Sequence, residues 1–117
     1  MAPPNKQKGG RRTRLSPRQL TTLVDEAIID AHDESEQRVG FLTMLEEHLA
    51  CPFMTAILGM PVRVERVAFN DADEIVAVCR RGRDRRLIPI LNLPLPSPPP
   101  TGWEWLEAYR YWARANR

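Results

Sequence analysis

Between Asp30 and Leu49 the chain reads DAHDESEQRVGFLTMLEEHL, with six carboxylates and Arg38 as the one fixed positive charge. Oxygen donors gathered without nitrogen or sulfur suit a hard cation. Ca²⁺ fits before Mg²⁺, because it accepts more oxygens in looser geometry. If a first helix reaches Asp33, then Glu26, Asp30 and Asp33 stand at i, i+4 and i+7, one negative stripe. Like charges at that spacing cost a helix a few tenths of a kcal/mol per pair. A face serving only solubility normally interleaves lysine or arginine, and none stands between Arg18 and Arg38. Glu46 and Glu47 are placed to fold back toward this stripe. The EF-hand is excluded: counted from Asp30 or Asp33, no glycine falls at position 6 and position 3 lacks Asp or Asn. The run Asn70–Glu74 fails the same template. A solvated acidic helix face accounts for the same pattern, so spacing alone leaves a cation site and an ordinary surface both open.

Positive charge is gathered elsewhere. Residues 1–18 carry Lys6, Lys8, Arg11, Arg12, Arg14 and Arg18 without an acid, whereas residues 19–49 carry eight carboxylates against Arg38. Arg80, Arg81, Arg83, Arg85 and Arg86 then crowd around Asp84. The formal net charge of +2 therefore averages a basic tail, an acidic body and a basic loop. Arginine forks suit phosphate, which makes a nucleic-acid-binding small barrel, using Arg80–Arg86 and the tail, the alternative function. It is disfavoured, because stacking aromatics other than Phe53 and Phe69 are absent from the strands and the acidic half repels a polyanion. A charged edge hairpin that blocks strand-to-strand association needs no ligand.

Other chemistry has less support. His48 and Cys51 have H-x₂-C spacing, but zinc needs His32 and Cys79 to converge with them. A Cys51–His48 nucleophile pair lacks an orienting group and an oxyanion hole, so no enzyme is expected. Cys79 reads as a small core residue, and two cysteines make no disulfide framework, so reduced thiols in a cytoplasm are expected. The start Met1-Ala2-Pro3-Pro4 is followed by basic residues rather than an apolar run of the signal-peptide kind. No stretch is apolar enough for a membrane span, and no membrane partner is expected.

The elements that must position these residues are legible from periodicity. Residues 1–14 hold almost nothing to bury and are expected to form a disordered basic tail, with one α+β domain over 15–117. Ser16, Pro17 and Gln19 form a capping box, and Leu15 with Leu20 a staple, for a helix from Pro17 to about Ala31. Residues 32–39 read as a polar linker. A second helix is expected from about Gly40 to Leu49, with Phe41, Leu42, Leu45 and Leu49 inward and Cys51-Pro52 as its stop. From Phe53 the period becomes two: PFMTAILG, VRVERVAF, EIVAVCR and RRLIPIL alternate with turn residues. That pattern predicts a small antiparallel sheet or SH3-like partial barrel. LNLPLPSPPPTG is a polyproline-like strap rather than bait for a proline-recognising domain. A second capping box, Thr101 with Glu104, opens a C-terminal helix whose Trp103, Trp105, Tyr109, Tyr111 and Trp112 pack on the sheet.

Three runs in order, GFLTMLEEHLACPFMTAILG, DEIVAVCRRGRDRRLIPILNLPLPSPPP and GWEWLEAYRYW, resemble the CcbP-like family of small calcium-binding proteins without EF-hands. The acidic D-x-x-D-E at Asp30–Glu34 precedes them, and the likeness spans roughly residues 20–113. The resemblance implies acidic helices beside a small sheet. It also implies Ca²⁺ coordination by carboxylates at Asp30, Asp33, Glu34, Glu36, Glu46 and Glu47, in a cytoplasmic sensor or buffer. A monomer and a homodimer both remain open, as does a protein-interaction module without a ligand.

Overall fold

A computed structural model describes residues 14–116 of the chain, so the expected basic tail lies, apart from Arg14, outside the described residues. Helix α1 (Pro17–Ala27) begins as its sequence predicts. The Gln19 N–H donates to Ser16 Oγ at 3.1 Å and the Ser16 N–H to Gln19 Oε1 at 2.8 Å, closing the capping box. It ends four residues before the expected Ala31. The Ile28 N–H closes the last turn on Val24, and Asp30 then reverses the chain at φ 67°, a left-handed conformation that aspartate tolerates.

Helix α2 (Glu34–His48) starts six residues before Gly40, where a linker was expected. Asp33 is its N-cap, and Glu34 and Glu36 occupy the first turn, where the helix dipole favours negative charge. Gly40 lies mid-helix, because its bare Cα meets the main chain of α1: a Cβ there would overlap the Ala27 carbonyl oxygen. Phe41, Leu45 and Leu49 turn inward as expected.

Strands β1 (Phe53–Ile57), β2 (Met60–Phe69), β3 (Ile75–Arg81) and β4 (Asp84–Pro89) form an antiparallel meander in sequence order. Of the two forms expected, the strands adopt the open sheet, since β1 and β4 are its edges. A bulge between Val64 and Arg66 inserts one residue into β2. It restores alternation so that Val62, Val64, Val67 and Phe69 all face the helices.

A single 3₁₀ turn, Ile90–Asn92, begins the proline strap, and Thr55 Oγ1 donates to the Pro94 carbonyl at 2.7 Å to tie the strap to β1. Helix α3 (Trp103–Ala115) buries Trp105, Leu106, Ala108, Tyr109 and Trp112. The expected Thr101–Glu104 capping box does not form. Gly102 occupies the N-cap position at φ 89°, packed so closely on the His48 carbonyl that a Cβ would overlap it, while the Thr101 carbonyl accepts the Ala50 N–H at 2.8 Å. The core lies between the sheet and the α2–α3 layer. There Phe41 sits edge-on to Tyr109 at 5.5 Å and 5.3 Å from the Trp112 ring.

Candidate cation site at the helix junction

Exposed carboxylates fill the junction between α1 and α2, and local backbone chemistry places each one. Asp33 Oδ1 accepts the Glu36 N–H at 2.8 Å, as an N-cap must. Glu36 Oε1 reaches back to the His32 N–H at 2.6 Å. Glu34 pairs with Arg38 Nη2 at 3.0 Å, one turn along the helix. The Arg38 guanidinium also lies 5.8 Å from the centre of the Trp112 ring, whose N–H donates to Gln37 Oε1 at 2.9 Å. Asp30, Asp33, Glu34 and Glu36 are all exposed.

The expected stripe of Glu26, Asp30 and Asp33 does not form, because α1 stops at Ala27 and the other two leave its face. Glu46 and Glu47 do not join the junction either. A rise of about 1.5 Å per residue carries Glu46 roughly 18 Å along α2 from Glu34. They sit at the other end of the helix, near the stacked rings of His48 and Trp105, 5.4 Å apart.

Different partners take their place. Asp73 and Glu74, in the turn joining β2 to β3, line a polar cleft of about 250 Å³ together with Glu34, Arg38, Tyr109 and Asn116. Asn70 builds that turn. Its Oδ1 accepts the Ala72 and Glu74 N–H groups at 2.8 and 2.9 Å, its Nδ2 donates to Glu74 Oε1 at 2.9 Å, and Asp73 adopts φ 61°. Burial pushes the Tyr109 phenol up against the opposing pull of Arg38, so it stays neutral and available as an oxygen donor. The Asn70–Glu74 run fails the EF-hand spacing, and its approach to α2 is a tertiary contact with no local signature. Its carboxylates were the visible signal.

Among the described residues, no three His, Cys, Asp or Glu side chains gather closely enough to hold a metal ion. The donor chemistry at the junction fits a hard cation. Gathering the oxygens draws Glu34 away from Arg38, while Asp33 and Glu36 cap their N–H groups through one carboxylate oxygen each, Oδ1 and Oε1. His32, His48, Cys51 and Cys79 likewise form no cluster. Burial raises the pKa of both thiols, with Glu65 adding to the effect at Cys79, so neither is primed as a nucleophile.

The five hairpin arginines do not make one patch, because strand alternation divides them. Arg80 and Arg85 stand opposite each other on the outer face of the sheet, and Arg63 stands opposite Arg80, a like-charged row across three strands. Glu65 neutralises Arg80 at 3.0 Å. Arg81 and Arg86 fall on the other face, at the rim of a groove of about 310 Å³ between the two hairpin ends, and Arg83 stands in the turn between β3 and β4.

No helix among the described residues is long and apolar enough to cross a membrane. No family model matches the chain. No curated protein matches it either. Among solved structures, the chain is similar to the crystal structure of Anabaena CcbP, with a TM-score of 0.65 and 19% identity. The match covers 86% of this chain and 94% of that one. At that identity the likeness is one of fold: three helices around a four-stranded antiparallel sheet, in the same α+β arrangement.

Proposed function

We propose that this chain binds Ca²⁺ through side-chain carboxylates at the α1–α2 junction, with Glu34 as the central ligand and Asp33, Glu36, Asp73 and Glu74 as its partners. The observation that carries this reading is the shared cleft. Glu34 from α2 and Asp73 with Glu74 from a distant turn face one polar space, held beside Tyr109 and Asn116. The sequence resemblance to CcbP-like calcium-binding proteins and the CcbP-like fold support the same ion. Asp30 is not among the residues that line this cleft. Glu46 and Glu47, at the far end of α2, are left out of the set.

The reading makes the molecule a binding protein rather than an enzyme. Ligation competes with the Glu34–Arg38 pair and shares the carboxylates of Asp33 and Glu36 with their capping contacts. Affinity is therefore set by the difference between ion coordination and bonds already made, and binding is coupled to the start of α2. Titration calorimetry of the chelator-stripped chain with Ca²⁺, in excess Mg²⁺, tests it. Saturable binding in the micromolar range that is lost in Glu34→Gln supports the site. A flat trace, or binding untouched by Glu34→Gln and Asp73→Asn, overturns it.

A further inference from the structure

The end of the sheet opposite the cation cleft carries a feature that the fold itself does not use. Leu58 and Gly59 form the two-residue turn between β1 and β2, both at positive φ, 51° and 78°. Turns of this kind select Asn, Asp or Gly at the first position, because L side chains with a Cβ are strained there. A leucine occupies it and is 97% exposed, burying nothing within the described structure. Met60, next in the hairpin, is 40% exposed. The groove beside them has Ile57 and Ile88 among its lining residues and is rimmed by Arg81 and Arg86. Arg83 projects from the neighbouring turn, where Gly82 takes φ 61°.

We propose that this hairpin end is a docking surface for an anionic phospholipid bilayer, with Leu58 and Met60 entering the acyl boundary and Arg81, Arg83 and Arg86 engaging headgroup phosphates. Charge complementarity selects the anionic partner: among the described residues only Asp84 offsets the three arginines at this end. The apolar apex selects a bilayer over a nucleic acid. A protruding leucine gains nothing from a phosphodiester backbone, and the end carries no aromatic ring on which a base would stack. A protruding apex also needs no matching pocket when the partner is a fluid phase, and basic residues beside an apolar tip are the combination that holds a protein at an interface. The contact is peripheral and does not depend on calcium binding at the other end of the sheet.

Co-sedimentation of the full chain with vesicles, in chelator, tests the proposal. The vesicles are phosphatidylcholine alone and phosphatidylcholine mixed with phosphatidylglycerol. The expected result is pelleting with the mixed vesicles only. Replacing the apolar apex in Leu58→Asn weakens partition about tenfold or more, and asparagine suits the turn, so thermal stability does not fall. Arg81→Gln combined with Arg86→Gln weakens partition about 25-fold, roughly fivefold for each arginine. Failure of the wild-type chain to pellet overturns the proposal. So does equal pelleting of Leu58→Asn, which would assign the binding to charge alone. Binding of duplex DNA by wild type and Leu58→Asn alike, with vesicles left unbound, would make the surface a nucleic-acid one instead.

Discussion

Arg110 on α3 donates to the Ile90 carbonyl twice, through Nε at 3.1 Å and Nη2 at 2.8 Å, and its Nη2 also reaches the Leu93 carbonyl. Glu107 accepts from its Nη1 at 3.1 Å. One side chain, 12% exposed, thus fastens the start of the proline strap to the last helix, adding to the Leu93 N–H that the Ile90 carbonyl already accepts at 3.2 Å and giving the Leu93 carbonyl a donor. Burial lowers the guanidinium pKa, and Glu107 works against that, so the charge is retained. Arg110→Met leaves the Leu93 carbonyl and Glu107 without this donor, and the Ile90 carbonyl with the Leu93 N–H alone, and should cost about 2–4 kcal/mol. Thermal unfolding should show it as a drop on the order of 10 °C. Arg110→Lys should recover little of the loss, because a point charge cannot span both carbonyls as the planar fork does. Full recovery by lysine would reduce the clamp to simple charge.

Gly40→Ala should destabilise the chain although alanine is the better helix former. The propensity gain is about 1 kcal/mol. Against it stands overlap of the new methyl with the Ala27 carbonyl, and overpacking against main chain costs about 1–3 kcal/mol. A raised denaturation midpoint would show that α1 and α2 slide apart cheaply.

Asp33 serves as a cap and, in the proposed site, as a ligand, and one substitution separates the two roles. Asparagine caps a helix about as well as aspartate, so Asp33→Asn should keep the calcium-free melting temperature within about 2 °C. Its Ca²⁺ affinity should fall, because a ligand charge is gone. Asp33→Ala should lose the cap as well and cost about 1 kcal/mol. Equal Ca²⁺ affinity in wild type and Asp33→Asn, measured by calorimetry, removes Asp33 from the ligand set.

Leu58→Asn should raise stability by about 0.5–1 kcal/mol, the strain released when a residue suited to a left-handed turn replaces one that is not. Chemical denaturation measures this without reference to any ligand. A loss of stability would mean that Leu58 packs on something within its own chain.

How much of this could be read from the chain depends on whether the determining contact is local. The capping box of Ser16 and Gln19 is four residues long, and it appears as written. The strands follow from alternation, which the bulge at Val64 and Arg66 shifts by one residue. The start of α2 was legible but read wrongly: Asp33 followed by Glu34 and Glu36 is a helix opening, and its polarity resembled a linker. Gly40 and Gly102 belong to a different class. Each is a glycine because main chain from elsewhere presses on it, and nothing near them in sequence shows this. Glu34 with Asp73 and Glu74, like Arg110 with Ile90, are joined only when the sheet is assembled. The expectation that Glu46 and Glu47 fold back toward Asp30 and Asp33 took α2 to begin at Gly40, six residues after its actual start at Glu34.

The length of β2 has one further consequence. Its ten residues, Met60 to Phe69, set the hairpin end and the turn holding Asp73 about 30 Å apart. That is several times the screening length of about 8 Å at physiological ionic strength. A cation arriving at the acidic end would therefore leave the potential at Arg81 and Arg86 nearly unchanged, and the two ends of the sheet operate as independent poles. Contact with a negative surface through the arginine pole turns the carboxylate pole outward, toward bulk solution, where a diffusing ion can reach it.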